Sequence, residues 1–156
     1  MEAIDHLTAN TAFYLVEHPV VSQTAIALTL AAGGLVIWAA PAWARLVGSD
    51  PFLRFLLRVS GRGVGFCLIL TGMLYASILR GLDEPLTSQP LMFTYYSASI
   101  MLSCAAVVFA GFQIYCALYV RHAPLLRAAV PALLGAWLFA LSVPIYQFAV
   151  LLGLDR

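Results

Sequence analysis

Read for polarity alone, the chain is a series of long apolar runs separated by short polar or basic segments. The first run covers residues 20–40, begins after Pro19 and closes near Pro41, with Trp38 and Trp43 where tryptophan gathers at a membrane rim. A second covers 63–80 and a third covers 91–120. The third carries Phe93, Tyr95 and Tyr96 at one end and Tyr115 and Tyr119 at the other. The fourth, 128–152, has Pro131 near its start and Pro144 inside it. A hydrocarbon core about 30 Å thick takes about 20 helical residues per crossing, so four crossings and short loops use up the chain. The pattern predicts an all-α fold, an integral membrane four-helix bundle forming a single membrane domain over 1–156.

The segments between the runs add detail. Residues 49–62, SDPFLRFLLRVSGR, are basic and amphipathic, with Ser49 or Asp50 available as a cap and Pro51 suited to the first helical position. Arg54 and Arg58 fall four apart on one face, while Phe52, Phe55, Leu56 and Val59 fill the other. This predicts a short amphipathic interfacial helix between spans one and two. Residues 3–17 are too polar to cross, yet Ile4, Leu7, Tyr14 and Leu15 recur at helical spacing and predict a second interfacial helix at the N-terminus. The stretch 80–90, RGLDEPLTSQP, reads as a solvated hairpin. The link 121–127 is so short that spans three and four must be antiparallel neighbours.

Composition places the chain firmly in this class: 63% of its residues are apolar and 10% charged, with a mean hydropathy of +0.95, where soluble proteins carry about 25% charge. There is no lysine, so all 8 basic side chains are arginine. Arg45, Arg54, Arg58, Arg62, Arg121 and Arg127 fall at one side of the predicted membrane, against Arg80 and Arg156 at the other. Retained segments collect positive charge, which predicts a bacterial inner (cell) membrane protein, or its equivalent, with both termini outside in the periplasm. The opening MEAIDHLTAN lacks the basic start and apolar core of a cleaved signal peptide, so the first span is expected to direct insertion. A net charge of +1 argues against nucleic acid as a partner.

No Asp, Glu, Lys, Arg or His occupies the central part of any predicted span, which weighs against proton relays, ion coupling and voltage sensing. His6, His18 and His122 fall at opposite rims, so bis-histidine haem ligation within one chain is disfavoured. The pairs Asp5 with His6 and Glu17 with His18 point apart on a helix, and no metal site is expected. Cys67, Cys104 and Cys116 lie at membrane depth without a base in reach, and no catalytic residue is assigned.

Candidate sites are therefore those of packing and binding. Lipid tails are as apolar as leucine, so membrane helices associate through small residues and a few polar contacts. Gly61 and Gly65, Ser99 and Ser103, and Ala132, Ala136 and Ala140 are the expected packing positions. Pro144 should kink span four near Tyr146 and Gln147, and with Gln113 these form a candidate cavity for a small apolar or weakly polar ligand such as a quinone or lipid. Thr29, Thr71 and Ser103 are the other buried polar groups expected to bond between helices. Arg54, Arg58 and Arg62 form a candidate contact for anionic lipid or a partner.

The function these features favour is that of a small non-enzymatic accessory or structural subunit. It would pack against itself as a homo-oligomer, or against a larger inner-membrane complex, with membrane lipids as further partners. No cofactor is predicted, with haem or quinone as alternatives. Ligand binding or transport is the second reading. A lipid-modifying enzyme using Glu17 with His18, or Arg121 with His122, is the third.

Overall fold

A computed structural model describes residues 17–81, 89–120, 128–138 and 140. Nearly all of the helix expected over 3–17, most of the hairpin after Arg80, the 121–127 link, and Pro144, Tyr146 and Gln147 lie outside the described residues. Everything described is helix or a short link between helices.

Helix α1 runs Pro19–Val47, with proline at its start, where the missing N–H is harmless. Its hydroxyls bond to their own backbone: Thr24 Oγ1 donates to Val20 O and Thr29 Oγ1 to Ala25 O, each at 2.7 Å. This hides polar groups without a partner helix. Pro41 lies inside α1, which continues across it. The helix ends at Gly48, whose N–H donates to Ala44 O at 2.9 Å while its backbone turns extended. A Cβ on Gly48 would lie 2.7 Å from Ala44 O and 2.5 Å from Arg54 Cγ, so the turn admits no side chain there.

Helix α2 runs Pro51–Gly81. Of the two candidate caps, Asp50 is the one used: its Oδ1 accepts the Leu53 N–H at 2.8 Å. Here the structure corrects the expectation of an interfacial helix followed by a separate span. The two are one unbroken helix of 31 residues, about 46 Å at about 1.5 Å per residue. Gly61, Gly63 and Gly65 weaken a helix but, unlike proline, leave its hydrogen-bond ladder intact. Arg62 and Arg80 stand about 27 Å apart along it, close to the thickness of a hydrocarbon core.

Helix α3 runs Gln89–Tyr115 and then widens into a π-helical turn, Cys116–Val120. Helix α4 is described over Ala128–Leu138, the first part of the expected 128–152 span. Among the described residues the helices meet in two apolar clusters. One joins Ala44, Val47, Leu57, Cys116, Ala117 and Ala128, gathering the end of α1, the start of α2, the π turn and the start of α4. The other joins Val64, Cys67 and Leu68 of α2 to Ala106 of α3 and Leu138 of α4.

The closest approach is between α1 and α2, which run antiparallel. A Cβ on Gly33 would stand 2.8 Å from Gly65 O, and one on Gly65 would stand 2.8 Å from Gly33 O. Farther along, a Cβ on Gly61 would be 3.1 Å from Ala40 Cβ, and one on Gly72 would be 2.9 Å from Leu30 Cδ2. Each glycine therefore removes the one atom that would hold the two backbones apart.

Among the described residues two stretches are long and apolar enough to cross a membrane, Pro19–Val47 and Ile100–Tyr119, and only 17% and 29% of their most apolar windows is buried. Large apolar side chains lie open around the outside, with Trp38 81%, Met101 72% and Phe52 71% exposed.

Candidate functional site

The principal polar feature inside the fold is Gln113, which projects from α3 near its C-terminal end and is 3% exposed. Its amide is enclosed by three helices and uses every hydrogen it has. Nε2 donates to Leu57 O at 2.8 Å and also to Ser60 Oγ, both on α2. Oε1 accepts the indole N–H of Trp43 on α1 at 2.7 Å. Because an indole N–H can only donate, the oxygen must face Trp43 and the nitrogen must face α2. Ser60 Oγ passes its own hydrogen to Leu57 O at 3.2 Å, which closes the network.

Beside this network lies a cavity of about 100 Å³, lined from α1 by Val36, Ala39 and Ala40, from α2 by Gly61 and Val64, and from α4 by Val130, Pro131 and Leu134. Trp43 and Gln113 form its polar-looking end, yet their hydrogens are already engaged. The walls therefore expose almost no polar surface. Ala39 and Val130 are exposed as well as lining the cavity, so its mouth opens between α1 and α4 on the outer surface.

The expected ligand donor thus has a different task. A quinone carbonyl would need a free N–H from Gln113, and neither is free. Thr29 and Thr71 likewise differ from expectation: Thr71 Oγ1 donates to Cys67 O at 2.8 Å within its own helix, as Thr29 does in α1, so neither hydroxyl is drawn to another helix by the bond shown.

Among the packing positions, Gly61 and Gly65 stand at the α1 crossing. Ala132, Ala136 and Ala140 are exposed, and the close contact of α4 is made instead by Gly135, where a Cβ would lie 2.9 Å from Ala110 Cβ of α3. The reason is rotational: Pro131, Gly135 and Leu138 follow one i, i+4, i+7 stripe turned toward the other helices, and the row of Ala132, Ala136 and Ala140 winds away from it. Ser99 and Ser103 fall within α3, with side chains outside the described set.

The arginine row divides in role. Arg54 Nε donates to Gly48 O at 3.2 Å and so clasps the α1–α2 turn. Arg58 is half-buried with its Nε unpartnered, and Arg62 is exposed. The apolar residues of the same segment, Phe52, Phe55 and Val59, are exposed, while Leu57, Ser60 and Gly61 face the other helices. Cys67, Cys104 and Cys116 are free thiols. Among the described residues no group of His, Cys, Asp or Glu could hold a metal.

Sequence reasoning singled out Gln113 but missed Trp43, Ser60 and Gly33. Trp43 reads as a rim aromatic, and its partner lies 70 residues away. Gly33 carried a legible signal, the Gly33 and Gly34 pair within an unbroken apolar run. No known protein family, characterised protein or solved structure matches this chain.

Proposed function

We propose that this chain is a small polytopic membrane protein of four spans. It is a non-enzymatic packing subunit that assembles with copies of itself or within a larger membrane complex. The observation that carries this reading is the inversion of polarity between inside and outside. The exterior of α1 and α3 is apolar nearly all round and largely unburied, whereas the interior holds a hydrogen-bonded amide. A helix apolar on all sides belongs in a protein core or a bilayer, and one so little buried suits the bilayer. Isolated apolar side chains on a soluble surface are ordinary, but so many large ones along the described helices are not.

The topology follows from the arginines. The end of α1, the start of α2, the end of α3 and the start of α4 cluster together, so the segments bearing Arg45, Arg54 and Arg58 share one end of the bundle. Positive charge favours the cytoplasmic side, which supports a threading with both chain termini outside. The exposed ridge of Ala132, Ala136 and Ala140, flanked by Leu133 and Trp137, leaves α4 a face suited to another membrane helix.

Reporter fusions at each terminus test the threading: activity of a periplasm-dependent reporter at both is expected, and a cytosolic reading at either refutes it. Native mass measurement in mild detergent tests assembly. A discrete oligomer or a co-purifying membrane partner is expected, and a strictly monomeric, partner-free species counts against the subunit reading.

A further inference from the structure

We propose that the cavity between α1, α2 and α4 is a binding site for a single lipid acyl chain, entered sideways from the bilayer through the gap between Ala39 and Val130. The proposal rests on the membrane reading above, since only a bilayer brings acyl chains to that mouth.

Three observations select this occupant. The first is chemical: the lining is aliphatic apart from Trp43 and Gln113, and those two spend their hydrogens on one another and on α2. A ligand with a carbonyl or hydroxyl would lose its hydrogen bonds to water and find no donor in exchange, whereas a hydrocarbon loses nothing. The second is size. At about 100 Å³ the space is smaller than the roughly 150 Å³ apolar cavity that takes a benzene ring, so it suits a short length of flexible chain and not a substituted ring. The third is depth. Trp38 and Arg62 both fall between the Gly33–Gly65 and Ala40–Gly61 contacts, and the cavity lies at the same level. Arginine and tryptophan mark the boundary between headgroups and hydrocarbon, so the mouth faces the upper part of the acyl chains. Its surroundings, Leu35, Trp38 and Leu133, are exposed and apolar.

Trp43 lines the site and supplies the probe. In the full-length chain carrying Trp38→Phe and Trp137→Phe, both at exposed positions, Trp43 is the sole tryptophan. The protein is reconstituted into phosphatidylcholine vesicles whose acyl chains are either plain or brominated in their upper half. Strong quenching of Trp43 by the brominated lipid is expected. Ala39→Phe and Val130→Phe, which plug the mouth from opposite sides, should each restore most of the emission while the helical circular dichroism is unchanged. An unquenched Trp43 in the unplugged protein overturns the proposal without any need for the plugged variants. Quenching that persists in plugged, folded protein also overturns it, because the bromine would then be acting from lipid outside the site. Quenching by acrylamide from the aqueous phase would mean a water-filled cavity and likewise overturns it. Failure of the chain to co-float with vesicles defeats the membrane reading itself. Co-flotation with unquenched Trp43 defeats the acyl-chain site alone.

Discussion

The α1–α2 seam and the junction around Gln113 join helices by opposite means. Along the seam, Gly33 and Gly65 bring backbone against backbone, and a Cβ at either position would run into the other's carbonyl oxygen. At the junction three helices are tied by a buried amide, and the geometry leaves a cavity beside it. The seam gains from shape and is intolerant of added atoms. The junction gains from hydrogen bonds, tolerates empty space, and is intolerant of an unpaired donor. In a bilayer, where apolar burial gives little net drive, these are the two main ways to hold helices together.

The contrast is broken most severely at the seam. Gly33→Leu or Gly65→Leu should destabilise the fold by about 3 kcal/mol, the upper part of the range for overpacking, as read by reversible unfolding in bicelles. A methyl group on the adjacent Gly34 would meet nothing within 4 Å, so Gly34→Ala should leave the fold intact and gain about 0.5–1 kcal/mol of helix propensity. A Gly34 effect as large as that of Gly33 would refute the seam.

At the junction, Gln113→Leu strands the Trp43 N–H and should cost about 1–2 kcal/mol. A double-mutant cycle with Trp43→Phe should return a coupling of about 0.6–1.7 kcal/mol, and a coupling of zero would deny the amide its tying role. Asp50→Ala removes the cap of α2 and should cost about 1 kcal/mol, seen in the same unfolding assay, with the seam itself intact. The smallest effect belongs to Thr29→Val and Thr71→Val. Their hydroxyls donate to carbonyls of their own helices, so a change of about 0.5 kcal/mol, the low end of a hydrogen bond's net worth, is expected for each.

Much of this architecture is legible in the residues. The start of α2 at Asp50 and Pro51 follows from capping chemistry, and the apolar runs foretell where helices lie. The interfacial helix expected over 49–62 and the span expected over 63–80 join without interruption, because glycine at 63 leaves the helix intact and admits Phe109, whose ring would lie 2.9 Å from a Cβ at that position. The Gln113 network is illegible for a different reason. Its members are 53, 56 and 70 residues apart, and nothing local marks Trp43 as anything but a rim aromatic. The alanine ridge of α4 has the right spacing for packing, but spacing leaves the rotation of a helix open, and α4 turns Gly135 inward instead. The π turn at Cys116–Val120 has no local signature at all.

The unbroken length of α2 gives the molecule a built-in ruler. In the four-span arrangement proposed above, Arg62 and Arg80 belong to one continuous helix, so their separation would not shrink or stretch with the surrounding lipid as it could across a flexible joint. A sterol-thickened bilayer would have to thin around the protein or drag a guanidinium below the headgroups, at a modest cost for each ångström of mismatch. The chain should therefore partition toward thinner membrane domains, and shortening α2 by one turn should move that preference thinner still.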